Sequence, residues 1–238
     1  MERKIRIKNG KVILADRIIP QGTVLVENGI ILGVEEGDVD FADALDIDAK
    51  GNYISPGFID IHVHGGGGHD FMDGTEEAFL KVAEIHAQHG TTSIMPTTLT
   101  AEKEDILHTL DIYEQANLNN KKGASFIGLH LEGPYFSMEQ RGAQDPKYIR
   151  DPEPSEYMEI LAHSRSIKRW SAAPERKGAI EFGKVLCERG ILPSMAHTDA
   201  IYEEAKNAYD NGYTLLTHFY SAMSGVTRKN AYRYAGVI

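Results

Sequence analysis

The chain has 238 residues, 42% of them hydrophobic and 25% charged, enough to bury a substantial core as a large α/β domain with or without a smaller companion. A formal net charge of −10 excludes nucleic acid or an anionic membrane surface as a general partner, while a few local donors could still bind a small anionic substrate. A single cysteine excludes an internal disulfide framework, and no apolar run approaches ~18 residues, so the expectation is a soluble, cytoplasmic protein without a leader after Met1-Glu2-Arg3-Lys4.

Residues 1–54 read as a small β-sandwich segment. Ile5, Ile7, Lys11-Val12-Ile13-Leu14, Thr23-Val24-Leu25-Val26 and Ile30 to Val34 are short β runs. Asn9-Gly10, Gln21-Gly22 and Asn28-Gly29 between them predict hairpin turns. From residue 55 the texture changes to strand, loop, helix, repeated. Strands are expected over Gly57–His64, Thr92–Thr98, Ser125–Gly133, Ile167–Ala173, Ile191–His197 and Thr214–Tyr220. Thr75 caps a helix over 76–89 whose Phe79, Val82, Ala83 and His86 share a face, and Gly90 stops it. A second helix follows Thr100 and carries Ile106, Leu110 and Tyr113. A later one follows Asp199, carries Tyr202, Ala205 and Tyr209, and stops at Gly212. Cys187, in the pattern of Ala179, Phe182 and Leu186, is expected to be a buried structural thiol. Strands alternating with helices make residues 55–238 an α/β unit with a parallel sheet, a TIM-like (β/α) barrel in the first place and a doubly wound open sheet in the second. About six of the eight strands of a closed barrel can be placed.

Chemistry concentrates at the strand ends. His62 and His64, two apart on one strand, leave the same face together, and Gly65 to Gly68 follow them. Glu132, His197 and His218 each close another apolar run. A barrel gathers such ends around one opening, so one carboxylate and four imidazoles predict a site for one or two divalent ions, zinc first, with iron, manganese or cobalt as alternatives. His86, His89, His108 and His163 fall in helical patterns and are expected to be surface or packing residues. His69 is a candidate for contact with the ligands, and His130 for a buried partner on the face of Glu132. Asp60, one step below His62, is placed either to orient an imidazole or to serve the strand start.

Pro56-Gly57-Phe58-Ile59-Asp60-Ile61-His62-Val63-His64-Gly65 resembles the opening strand of the amidohydrolase superfamily. His130-Leu131-Glu132-Gly133-Pro134-Tyr135, Ala172-Ala173-Pro174-Glu175, Ala196-His197-Thr198 and Thr217-His218-Phe219-Tyr220-Ser221-Ala222-Met223 resemble, in order, the motifs of its N-acetylglucosamine-6-phosphate deacetylases. The resemblance implies a barrel hydrolase of amino-sugar catabolism that converts N-acetylglucosamine 6-phosphate to glucosamine 6-phosphate and acetate, as a homodimer. It implies Glu132, His197 and His218 as ligands of one metal and His62 with His64 as the extra pair of two-metal members. It assigns substrate contacts to Ala143 and Gln144, the latter where some members have histidine, and to Ser221 and Ala222, with Ser221 where asparagine is common. The phosphate-binding arginine best matches Arg228, with Arg233 as the alternative. The catalytic aspartate of the resemblance has no motif match in 1–238 and is expected beyond Ile238. So are the strands that complete the sandwich of 1–54. The expectation is therefore a chain shortened at its C-terminus, slow in turnover and prone to associate.

Two rivals stand beside this reading. Cyclic-amide hydrolases of the dihydroorotase kind bridge two metals with a carboxylated lysine ending strand four. Here that strand ends Ser171-Ala172-Ala173-Pro174-Glu175 and Lys168 lies too early, leaving Glu132 as the bridge. The other rival is a non-catalytic fragment that keeps its metal.

Overall fold

The computed structural model describes residues 4–238, the side chain of Lys229 excepted. The chain divides into two compact units, residues 1–57 and 58–238. Among the described residues no helix is long and apolar enough to cross a membrane.

In the first unit, β1 (Lys4–Ile13), β2 (Ile18–Glu27) and β3 (Ile30–Glu36) form an antiparallel meander, and β4 (Leu45–Asp48) and β5 (Tyr53–Ile54) run parallel to β1. Val12, Ile19 and Val24 form its small core. Of the three expected turns only Asn28-Gly29 is one, with φ of 52° and 82°, the double left-handed geometry of a tight hairpin. The β1–β2 turn lies instead at Leu14–Arg17, closed by Leu14 N–H donating to Arg17 O at 2.9 Å. Asn9-Gly10 is a bulge within β1, and Gln21-Gly22 runs through β2. Glycine is needed at Gly10 for close approach: a Cβ there would lie within 2.9 Å of side-chain atoms of Ile54 and Ala49.

Asp46 on β4 meets Arg6 at 2.7 Å and Lys8 at 2.8 Å, and the Arg6 hydrogen bond pulls its carboxyl down to about 2. A folded-state value below the ordinary 3.8 contributes stability that is present above pH 3.8 and is lost as pH falls toward 2. Acid titration of Asp46→Asn should therefore show a shallower loss of stability across that window than the parent; superimposable curves would remove Asp46 as a contributor.

The second unit is built on parallel segments taken in chain order: β6 (Phe58–Val63), β7 (Thr91–Pro96), β8 (Ser125–Phe126) continuing as β9 (Leu129–Glu132), β10 (Ile167–Ala172), β11 (Leu192–Met195) and β12 (Leu215–Leu216). The Thr97–His130 bridge joins the first three to the rest. Strand three breaks where Gly128 takes a φ of 117° and donates its N–H to Tyr113 Oη at 3.1 Å. Among the described residues five α-helices, α1 (Glu76–Gln88), α2 (Lys103–Asn119), α3 (Pro154–His163), α4 (Ala179–Glu188) and α5 (Tyr202–Asp210), return the chain between strands. Thr75 caps α1 by accepting from Ala78 N–H at 3.2 Å, and Phe79, Val82 and Ala83 turn into the core. Buried aromatic side chains knit strands to helices: Trp170 stacks on Tyr135 with centroids 5.7 Å apart and meets Phe182 edge-on at 5.0 Å. Cys187 is exposed, contrary to the sequence expectation. It follows the buried Leu186 and so turns to the outer side of α4, with Sγ near Gly212 O.

After β12 the chain does not continue as a strand to Tyr220. His218, Tyr220 and Ala222 take φ of 35°, 77° and 52° and coil the segment. A hairpin of β13 (Val226–Lys229) and β14 (Tyr232–Ala235) follows.

Candidate metal centre

The structure brings His62, His64, Glu132, His197 and His218 together where the parallel strands end. Glu132 closes β9, is almost fully buried, and sits among all four imidazoles. Its Oε1 lies 3.1 Å from His218 Nε2, 3.4 Å from His197 Nε2 and 3.8 Å from His62 Nε2; its Oε2 lies 3.2 Å from His64 Nε2. Two donor groups result, His62–His64–Glu132 and Glu132–His197–His218, each with ligand atoms within 4.8 Å of one another and Glu132 common to both.

The other ring nitrogens decide which lone pairs face inward. His64 Nδ1–H donates to Thr97 O at 3.2 Å, His197 Nδ1–H to Gln140 O at 2.9 Å and His218 Nδ1–H to Ser221 O at 3.0 Å. A carbonyl only accepts, so each of these rings is protonated at Nδ1 and turns an Nε2 lone pair to the centre. His197 and His218 Nε2 are 3.2 Å apart, two lone pairs facing each other beside a carboxylate. Nitrogen and oxygen donors converging in this way fit a borderline divalent ion.

The local field agrees. Burial opposes charge on Glu132, but the imidazoles of His197, His218 and His64 facing it outweigh that and hold its carboxyl far below the usual range. The Glu132 carboxylate beside it favours the charged form of His218 and raises it. His64 is also raised, burial opposing its charge but Glu132 outweighing that. Burial dominates at His62 and brings it down to about 4. Gly133 takes a φ of 91° next to Glu132, where a Cβ would collide with Thr100 Oγ1 and the Phe136 ring. His197 and His218 themselves have φ of 45° and 35°, which swings the rings back over the strand ends.

The residues assigned to substrate by resemblance are placed variously. Gln144 is buried, its Nε2–H donating to Glu132 Oε2 at 3.0 Å and its Oε1 accepting from Thr100 N–H at 2.8 Å, so its amide supports the carboxylate; Ala143 beside it is exposed. Ser221 N–H donates to His218 O at 2.9 Å, and the Ala222 carbonyl accepts from Thr198 N–H at 3.1 Å. Arg228 and Arg233 are direct cross-strand partners in the β13–β14 hairpin, both exposed. Asp60 accepts the backbone N–H of His62 at 3.0 Å, which serves the strand. His69 lies 3.8 Å from Asp73, and Lys168 is exposed. Not foreseen from the sequence was a buried polar cluster beside these five residues, made of Arg169, Ser171, Ser194 and Thr217. Its signal is the period of two along Arg169 and Ser171, polar positions on one face of a buried strand.

The amidohydrolase family model matches residues 53–237. The chain belongs to the amidohydrolase family. Curated relatives include an N-acetylgalactosamine-6-phosphate deacetylase from Escherichia coli O157:H7, 33% identical over 84% of this chain and 52% of its own length. An N-acetylglucosamine-6-phosphate deacetylase from Haemophilus influenzae is 36% identical over 76% of this chain and 47% of its own. Among solved structures, N-acetylglucosamine-6-phosphate deacetylase from Pasteurella multocida superimposes with a TM-score of 0.88 at 26% identity, covering 98% of this chain and 60% of that one. The chain thus spans about half the length of the curated relatives it matches. Within the amidohydrolase family the parallel strands described above are a TIM-barrel-like α/β fold, and divalent metal is the family's usual cofactor.

Proposed function

We propose that residues 55–238 are the hydrolase barrel, and residues 1–54 the sandwich segment, of a metal-dependent deacetylase of N-acetylglucosamine 6-phosphate, acting in the cytoplasm as a homodimer. One observation carries the reading: Glu132 shared between two imidazole pairs whose inward lone pairs are fixed by their outer hydrogen bonds. When bound, one or two divalent ions, zinc first among them, supply a Lewis acid for the acetyl carbonyl and acidify a water for attack. Glu132 would be shared between two positions, one held with His197 and His218 and the other with His62 and His64. Gln144 keeps the carboxylate from rotating. Arg228 or Arg233 is the cation for the sugar phosphate, and Ala143, Ser221 and Ala222 border its approach. The bridging carboxylate from β9 and the exposed Lys168 support this over a cyclic-amide hydrolase.

The relatives leave a choice of sugar, since one acts on the galactosamine epimer. Acetate release should be measured with N-acetylglucosamine 6-phosphate, N-acetylgalactosamine 6-phosphate and unphosphorylated N-acetylglucosamine. The glucosamine ester should lead. Loss of the phosphate should weaken binding roughly 10–150-fold, as expected from about 1.5–3 kcal/mol for a charge-assisted hydrogen bond. Equal affinity with and without phosphate would reject the arginine pocket, and bound metal without turnover of any of the three would favour a metal-holding, non-catalytic chain.

A further inference from the structure

Three of the four inward imidazoles lean on backbone carbonyls. The fourth, His62, leans on another imidazole: its Nδ1 lies 3.2 Å from His130 Nδ1. Since either ring could donate, this contact alone does not say whether His62 Nε2 carries a proton or a lone pair. The answer lies two contacts further down.

His130 is wholly buried, and its Nε2 lies 2.6 Å from Ser171 Oγ. Ser171, Ser194 and Thr217 form a closed triangle of hydroxyls with sides of 2.7, 2.9 and 3.0 Å. Arg169, also buried, donates to two of its corners, from Nε to Ser194 Oγ at 3.1 Å and from Nη2 to Thr217 Oγ1. A guanidinium cannot accept, so those bonds run one way. Three hydroxyls bring three protons for three sides. If all three stay in the ring, each oxygen accepts once from its neighbour and once from outside, and the outside donors are Arg169 Nε, Arg169 Nη2 and His130 Nε2–H. Every hydroxyl proton and every hydroxyl lone pair in the triangle is then used. If Ser171 instead gave its proton to His130, one side of the triangle would be two oxygens at hydrogen-bond distance with no proton between them, a costly arrangement in a dry interior.

His130 is therefore protonated at Nε2 and presents its Nδ1 lone pair. The Thr97 hydroxyl, 3.4 Å from that nitrogen, gives its proton to Met95 O at 3.1 Å, so His62 Nδ1–H is left as the donor. We propose that His130, oriented by the Arg169-anchored triangle of Ser171, Ser194 and Thr217, is a positioning residue that fixes His62 in the Nδ1–H form and so reserves its Nε2 for the second metal position. His130 touches neither metal nor substrate in this scheme. The proposal rests on the metal reading above only for what the freed Nε2 binds; the proton order itself belongs to the chain without ions.

The test has two arms. Imidazole nitrogen-15 spectra of the ion-free protein near neutral pH, with His130→Asn identifying the His130 signals, should show His130 protonated at Nε2 and His62 at Nδ1. His130 protonated at Nδ1 would overturn the proposal. Zinc titration with elemental analysis forms the second arm. The parent should take two ions. His130→Phe, which removes the acceptor, should weaken the second by about 10–100-fold while keeping the first. His130→Asn, whose Oδ1 can stand where Nδ1 was, should restore it. Two ions of parental affinity in His130→Phe would overturn the positioning role. A parent that binds no zinc would overturn the metal reading instead, and the spectra would still decide the proton order.

Discussion

Glu132→Ala should bind neither ion. The carboxylate is the only donor common to both groups, and without it each retains two imidazoles. Any deacetylase activity should fall by roughly 10³-fold or more, because the Lewis acid and the acidified water contribute on the order of several kcal/mol to such a reaction. His62→Ala should act more narrowly and lose chiefly the second ion, since Glu132, His197 and His218 stay in place. Elemental analysis after exhaustive dialysis separates the cases. Two ions retained in Glu132→Ala would dismantle the shared-carboxylate arrangement, and equal metal content in His62→Ala and parent would count against two positions. Glu132→Gln refines the result: its amide keeps the shape of the carboxylate but not its charge, so retained folding with lost metal would show that charge decides.

Trp170→Ala should cost about 3–5 kcal/mol, the range for emptying a large aromatic site in a close-packed interior. Trp170 is fully buried, stacks on Tyr135, meets Phe182 edge-on, and donates its indole N–H to Gly133 O at 2.8 Å. Losing it leaves both a cavity and a buried carbonyl one residue from Glu132. Calorimetry should place the transition about 6–20 °C lower, taking about 2–4 °C per kcal/mol for a unit of this size. A shift under about 2 °C would mean that the ring is not a keystone of the barrel core. Trp170→Phe keeps most of the packing and loses the donor, so it should fall between parent and alanine. Trp170 is also the sole tryptophan, so parental fluorescence reports unfolding of the unit that holds the site and not of residues 1–57.

Much of this was legible because metal ligands are side chains and barrel strands announce themselves by short apolar runs. His62 and His64 show their common face by a spacing of two. Glu132, His197 and His218 show theirs by ending runs that a parallel sheet must place at one edge. What orients those rings was not legible. Thr97, Gln140 and Ser221 contribute carbonyl oxygens, which every residue carries, so no residue type marks the position. Gln144 is assigned to substrate only through the resemblance, and its bonds to Glu132 and Thr100 depend on how the loop after β9 folds inward, which no residue pattern marks. Asn9-Gly10 has turn chemistry but serves as a bulge, because Ile54 and Ala49 come too close for a side chain at Gly10. Arg169 shows the limit from the other side. Arg169 and Ser171 share a face by their spacing of two, but nothing in the sequence says that Ser194 on β11 and Thr217 just after β12 will close the cluster with them.

The left-handed backbone at His197 and His218 has a consequence for how the chain can change. Non-glycine residues held there cost on the order of 1–3 kcal/mol each, and asparagine or glycine would sit more easily. Tyr220 and Ala222 share that backbone, so part of any drift toward greater thermal resistance is open at positions outside the candidate centre and part at two of its five residues. A library screened for heat tolerance alone would enrich replacements at 197 and 218 as readily as at 220 and 222, and the first two would remove donors from the candidate metal centre.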